Sequence, residues 1–254
     1  MEETTKMALC AYLLALADDE LILGQRDSEW CGRAPLLEED IAFANLALDE
    51  LGHAQAWYTL LANLRGEEAA LTPDRLVFFR PAHAFRNAQM VERPNRDWAF
   101  SMLRQYLFDA YELLNLEALE GSAYQPLAEA AGKFRLEELY HHRHTRAWVQ
   151  RLALGTEESH QRMQAALDDL WPLTGQLFSH TPEEDALTRL GYLPSAGELR
   201  VLWASAVQAF LADCELQVPA DDRGDVPRER HTSHLEVLVR EMGSVARMQP
   251  EAAW

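Results

Sequence analysis

The chain has 254 residues, of which 48% are hydrophobic and 25% are charged, and its formal net charge at pH 7 is −18. A chain of this length can bury a sizeable core, as one domain or as two small ones. The acidic balance excludes a nucleic-acid-binding protein, because phosphate-binding surfaces need clustered lysine and arginine. The three cysteines, Cys10, Cys31 and Cys214, are odd in number and far apart, which excludes a disulfide framework and a cysteine metal cluster.

Neither a membrane span nor a secretory leader is expected. No apolar run reaches the roughly 18 residues that a membrane-spanning helix needs. The stretch from Met1 to Lys6 contains two glutamates and leads into a helical pattern, unlike the basic start of a signal peptide. We therefore expect a cytoplasmic protein that binds neither membrane nor nucleic acid.

Helical periodicity runs through most of the chain, and the predicted helices follow one another with short breaks. They span about 5–25, 36–65, 95–119, 126–154, 157–178, 196–218 and 232–248. Asn95 is the expected N-cap of the third helix, and Pro172 should kink or break the fifth. Residues 66–94 contain Pro73, Pro81 and Pro94 and predict a long crossover with a short helix around 82–91.

This order of elements predicts an all-α fold. Two long helices, a long connection and two further long helices match the connectivity of a ferritin-like bundle with one crossover. No linker is long enough to require a second domain. We therefore expect a single domain over 1–254, with a four-helix core at about 5–155 and additional helices at about 157–248.

The second helix carries a Glu-x-x-His motif inside its apolar stripe. Steps of three and four residues connect Phe43, Leu46, Glu50, His53 and Trp57, and only Glu50 and His53 are polar. Both polar side chains should therefore face the centre of the bundle. A buried carboxylate is costly unless it is paired or binds a metal ion.

The other three long helices break their stripes in the same way. Glu138 and His141 form a second Glu-x-x-His on the fourth helix, and Glu20 interrupts the stripe of the first. On the third helix Asp109 and Glu112 share one face, and either could point inward. Two helices with one carboxylate each and two with Glu-x-x-His make up the ligand set of di-iron and di-manganese carboxylate proteins.

The residue pattern leaves one alternative open for this set. The same side chains could form a satisfied buried network of hydrogen bonds and ion pairs that holds the bundle in register without a metal.

Several segments of the chain resemble the C-subunit family of the multicomponent phenylacetyl-CoA 1,2-epoxidase. They are G-Q-R-D-S-E-W-C-G-R-A-P-L-L-E-E-D-I-A-F-A-N-L-A-L-D (24–49), R-Q-Y-L-F-D-A-Y (104–111), W-V-Q-R-L-A-L-G (148–155), L-W-P-L-T-G-Q-L-F (170–178) and H-T-S-H-L-E-V-L-V-R-E-M (231–242). Together they span nearly the whole chain, and the first is distinctive.

The resemblance implies a ferritin-like protein that pairs with a homologous catalytic A-type subunit, which carries the di-iron centre. That enzyme also contains a reductase and a small B subunit, and it uses O2 to epoxidise the ring of phenylacetyl-CoA in aerobic phenylacetate degradation. The family's C-type subunit is regarded as structural, with an eroded metal site. This chain departs from that pattern because it keeps acid and imidazole side chains at Glu20, Glu50, His53, Asp109 or Glu112, Glu138 and His141.

Three functions follow as hypotheses. The first is a non-catalytic scaffold subunit of the epoxidase. The second is a self-sufficient di-iron oxidase or oxygenase that uses this chain's own ligand set. The third, an iron store, fits least, because the chain adds further helices to the compact four-helix unit of a storage cage.

Overall fold

Long α-helices make up most of the structure. The computed structural model describes residues 1–66, 72–220, 224 and 226–250, and in these residues it contains α-helices, short 3₁₀ segments and no β-strand. The α-helices are α1 (Glu3–Ser28), α2 (Leu37–Arg65), α3 (Pro73–Phe78), α4 (Gln89–Glu92), α5 (Trp98–Leu119), α6 (Gln125–Ala153), α7 (Glu157–Leu170), α8 (Pro182–Arg189), α9 (Ala196–Asp213), α10 (Ser233–Met242) and α11 (Ser244–Met248). None of these helices is both long and apolar enough to cross a bilayer.

The core consists of two helix pairs. α1 packs along α2 and α5 packs along α6, and a short turn joins the two helices of each pair. The two pairs are connected by the crossover between α2 and α5, which contains α3, α4 and a 3₁₀ turn at Ala82–Ala84. This arrangement confirms the predicted all-α bundle with a long crossover between its second and third long helices.

α1 and α2 approach each other closely at Gly24. A Cβ atom built on this glycine would lie 2.9 Å from Cβ of Glu50 and 3.2 Å from the carbonyl oxygen of Ala47. A larger residue would therefore push the two helices apart. The close contact brings the polar positions of α1 and α2 to the same level of the bundle.

The predicted start of the third long helix was wrong by two residues. Asp97, and not Asn95, is the N-cap of α5, and its side chain accepts a hydrogen bond from the backbone N–H of Phe100 at 2.9 Å. The Asn95 side chain instead donates to the carbonyl oxygen of Arg26 and accepts from the guanidinium of Arg104 at 2.9 Å. These contacts join the start of α5 to α1, and the sequence pattern contains no signal for them.

The C-terminal third is more divided than predicted. α7 ends at Leu170, and residues Trp171–Phe178 continue as a 3₁₀ helix, since Pro172 cannot donate the α-helical hydrogen bond. α8 was not predicted, α9 ends before 218, and the last predicted helix is split between α10 and α11 at Gly243.

A buried ionic network joins the outer side of α1 to the crossover. The carboxylate of Asp18 accepts hydrogen bonds from the Arg80 guanidinium, the Tyr58 hydroxyl and the backbone N–H of Arg86. Its neighbour Asp19 accepts from the backbone N–H of Ala88 at 2.6 Å and from the guanidinium of Arg228 at 2.5 Å. α1 therefore anchors both the crossover and the segment before α10.

We expect Asp18→Ala to destabilise the protein by about 3–5 kcal/mol, because it leaves the largely buried Arg80 guanidinium without its carboxylate. The matched control is Glu158→Ala, which removes a carboxylate that pairs with Arg162 on the exposed surface of α7 and should change stability little. Urea unfolding measures both. Equal effects of the two substitutions would show that the network contributes nothing beyond surface pairing.

Candidate metal centre

The six predicted ligand positions meet between the four long helices. They are Glu20 on α1, Glu50 and His53 on α2, Glu112 on α5, and Glu138 and His141 on α6, and none is more than 5% exposed. They form two groups, one of Glu20, His53 and Glu112 and one of Glu50, Glu138 and His141. Within each group, one possible ligand atom per residue lies within 4.8 Å of the others.

The helical repeat explains why these side chains face one another. Glu50 and His53 lie one turn apart on α2, between the buried residues Phe43, Leu46 and Trp57. The His53 ring also stacks on Phe134 of α6, with 4.3 Å between ring centroids. The apolar residues therefore hold the polar ones at the centre of the bundle.

Each histidine is oriented by an acid from the opposite helix. Nε2 of His53 lies 2.8 Å from Oε2 of Glu137, and Nε2 of His141 lies 3.2 Å from Oδ2 of Asp49. A proton on Nε2 leaves Nδ1 to face the cluster. His53 Nδ1 lies 3.7 Å from Oε2 of Glu20, and His141 Nδ1 lies 3.2 Å from Oε2 of Glu138.

Sequence reasoning missed Asp49 and Glu137, although a signal for them was present. Each acid comes directly before the glutamate of a Glu-x-x-His motif, in D-E-L-G-H and in E-E-L-Y-H. On a helix, that position lies beside the motif's inward face, so its side chain reaches the histidine of the facing helix. The acid before each motif thus pairs with the histidine of the other motif.

Asp109 and Glu112 occupy different surroundings. Asp109 accepts hydrogen bonds at both oxygens, from Gln105 Nε2 at 2.9 Å and from Thr145 Oγ1 at 2.6 Å. Gln105 Nε2 also donates to Oε1 of Glu50 at 2.8 Å. Glu112 instead lies with Glu20 and His53 and keeps one carboxylate oxygen unpaired.

The cluster is rich in unsatisfied polar atoms. Five of the six side chains leave a buried atom with no hydrogen-bond partner among the described residues, namely Glu20 Oε2, Glu50 Oε2, His53 Nδ1, Glu112 Oε2 and Glu138 Oε1. Each such atom costs on the order of 1–3 kcal/mol. A cation among four carboxylates and two imidazoles would remove that cost, and oxygen and nitrogen donors of this kind suit iron or manganese. The residues therefore fit a pair of such metal ions.

Burial and mutual repulsion shift the protonation of the cluster. Burial raises the pKa of Glu20 well above its usual range, and the charges of Glu112 and Glu50 raise it further. The pKa of Glu138 is raised in the same way by burial and by the charges of Glu112 and Asp109. Burial by itself lowers the pKa of His141, but its hydrogen bonds to Asp49 and Glu138 outweigh burial and raise it well above its usual value. Without metal, the cluster therefore retains protons that a divalent cation would displace.

A family model described as phenylacetic acid catabolic protein matches residues 1–254. The chain belongs to this family. It is 38% identical to the C subunit of 1,2-phenylacetyl-CoA epoxidase of Escherichia coli (strain K12) over 248 residues, which cover 97% of this chain and 99% of that protein. It is 25% identical to the A subunit of the same enzyme over 171 residues, which cover 67% of this chain and 54% of that protein. Within the phenylacetic acid catabolic protein family, this chain is thus similar to two different subunits of one epoxidase.

The raised carboxyl pKa values make stability depend on pH. Because Glu20 binds its proton more tightly in the folded state, its contribution to stability is fully present below the unfolded pKa of about 4.3 and is lost as the pH rises. Glu20→Gln removes this titration. In urea unfolding of chelator-treated protein, the variant should therefore gain stability relative to wild type as the pH rises above the unfolded pKa of about 4.3.

The control for this titration is Glu129→Gln, which changes an exposed acid on α6 and should follow wild type across the same pH range. A constant difference between Glu20→Gln and wild type across the range would contradict the assigned shift.

Proposed function

We propose that this chain is the C-type subunit of a multicomponent phenylacetyl-CoA epoxidase that acts in phenylacetate catabolism. The supporting observation is the match to the Escherichia coli C-type protein along almost the full length of both chains. In this proposal the chain works in the cytoplasm and packs against a homologous A-type subunit, and the assembly also contains a reductase and a small B subunit. Its main role is to brace the catalytic partner.

Features of the fold are compatible with a scaffold. The buried network around Asp18 and Asp19 ties α1, the crossover and the segment before α10 together. A frame held by buried ion pairs and a shared core presents its outer helix faces at defined positions. Such a frame suits a subunit that has to hold a partner in place.

Co-expression with the A-type homologue of the same organism tests this role. We expect the two chains to elute together in size-exclusion chromatography with light scattering, at a mass above that of either chain alone. The matched control is an unrelated ferritin-like protein expressed with this chain, which should elute separately. Separate elution of this chain and the A-type homologue would refute the proposed function.

A second candidate role, favoured by the unsatisfied atoms of the cluster, is that this chain holds a di-metal centre of its own. The ligands would be Glu20, Glu50, His53, Glu112, Glu138 and His141. A pair of iron ions bound there would supply the capacity to activate O2.

The protein's own contribution to such a centre is positioning. Asp49 and Glu137 hold the Nε2 atoms of the two histidines, so that both Nδ1 atoms face inward. Gln105 joins Asp109 to Glu50 and fixes the carboxylate of Glu50. We place Asp109 beside the centre rather than among the ligands, because both of its oxygens already accept hydrogen bonds.

Metal analysis of protein produced in iron-rich medium tests this second role. We expect about two iron ions per chain, a large loss of iron in Glu112→Gln and a smaller loss in Asp109→Asn. Glu129→Gln, an exposed acid, serves as the control, and circular dichroism reports whether each variant is folded. If Asp109→Asn lost more iron than Glu112→Gln, Asp109 would be the ligand and Glu112 would lie beside the centre. Folded wild-type protein without iron would reject the di-metal centre and leave the scaffold role standing.

A further inference from the structure

The outer face of α2 is uncharged over most of its length. Its exposed residues from 41 to 63 recur in steps of three and four and are Ile41, Asn45, Leu48, Gly52, Gln55, Thr59 and Asn63. Ile41 is 57% exposed and Leu48 is 66% exposed. A helix face that meets only water normally carries charged residues, and a quarter of this chain is charged. We call these seven residues the α2 stripe.

A glycine interrupts the middle of the stripe. Gly52 lies between Glu50 and His53 in the interior of a helix of 29 residues, where glycine is less stable than alanine. A Cβ atom built on Gly52 would meet nothing within 4 Å among the described residues. Contacts within this chain therefore give no reason for a glycine here, whereas the close approach of another molecule would give one.

The stripe borders an open groove between α2 and α6. The groove has a volume of about 710 Å³, and its lining includes Leu48, Gly52, His53, Phe134 and Glu137. From α6 the groove is lined by Glu129, Lys133, Phe134 and Glu137 among others. α6 also exposes Leu136 by 65% and Tyr140 by 55%. Both helices thus expose apolar side chains, and the groove between them reaches His53 of the buried cluster.

We propose that the α2 stripe, together with Leu136 and Tyr140, is the surface on which a homologous A-type subunit packs. This inference rests on the proposed function. The chain is similar to both the A-type and the C-type proteins of one enzyme. Homo-oligomers most often pair the same surface patch of each subunit about a two-fold axis, and we extend this pairing of equivalent faces to two homologous subunits. The partner then covers the groove and approaches α2 most closely at Gly52.

The test is co-purification with the A-type homologue, using variants of exposed residues. Leu48→Asp places a charge in the stripe, and Gly52→Leu fills the space at its centre. Val201→Asp on α9 is the matched control, because Val201 is also apolar and is 69% exposed. Gly52→Ala is the conservative variant. The melting temperature of each isolated chain shows whether the variant folds.

We expect Leu48→Asp and Gly52→Leu to weaken the complex by about tenfold or more, while Val201→Asp binds like wild type. The isolated variants should melt near the wild-type temperature, and Gly52→Ala should melt higher. Wild-type binding by Leu48→Asp and Gly52→Leu would overturn the proposed surface and leave the pairing intact. A wild-type chain that does not bind the A-type homologue would overturn both proposals. A homodimer of the isolated chain that Leu48→Asp dissociates would assign the surface to a second copy instead.

Discussion

The structure depends on the burial of four glutamates and two histidines at the centre of an apolar bundle. Charged groups in such a place are costly unless they are paired, protonated or bound to a cation. Gly24 allows α1 and α2 to pack closely, which brings their buried acids together. Asp49 and Glu137 limit part of the cost, because they reach across the bundle and pair with the two histidines. Burial and neighbouring carboxylates still raise the pKa values of Glu20 and Glu138, because their charged forms remain unfavourable there.

α1 carries two polar systems on opposite sides. Glu20 points into the bundle, whereas Asp18 and Asp19, on the preceding two positions, bind arginines of the crossover and of the segment before α10. All four carboxylate oxygens of Asp18 and Asp19 accept hydrogen bonds from arginines, from Tyr58 or from backbone N–H groups, so this outer system holds α1 to its neighbours. Among the described residues, no arginine or lysine pairs with the acids of the inner cluster, and its carboxylates lie close to one another. The outer network of Asp18 and Asp19 therefore stabilises the fold, whereas the inner cluster has the charge and the donor atoms that suit a metal ion.

Two observations point to different functions for this chain. One is its membership of the phenylacetic acid catabolic protein family, and the other is the buried cluster of acids and histidines. The match to the C subunit of the Escherichia coli epoxidase supports the proposed subunit role. The donor set favours metal binding. The two are compatible in one molecule, because the cluster lies inside the four-helix core while the proposed partner surface lies outside it. The groove between α2 and α6 connects them, so a partner on that face would also control access of solvent to His53.

The amino-acid sequence by itself determined the helical class, the two helix pairs with their crossover, and the inward direction of the Glu-x-x-His motifs. These follow from the spacing of apolar residues along a single helix, which is a local property. Only the tertiary structure decided the rest. Asp97 caps α5, whereas Asn95 binds α1 and Arg104. Gln105 and Thr145 occupy both oxygens of Asp109, whereas Glu112 lies with Glu20 and His53. The pairing of Asp49 with His141 and of Glu137 with His53 joins residues more than eighty positions apart. Local periodicity indicates which way a side chain points, but the group that it meets depends on how separate helices pack together.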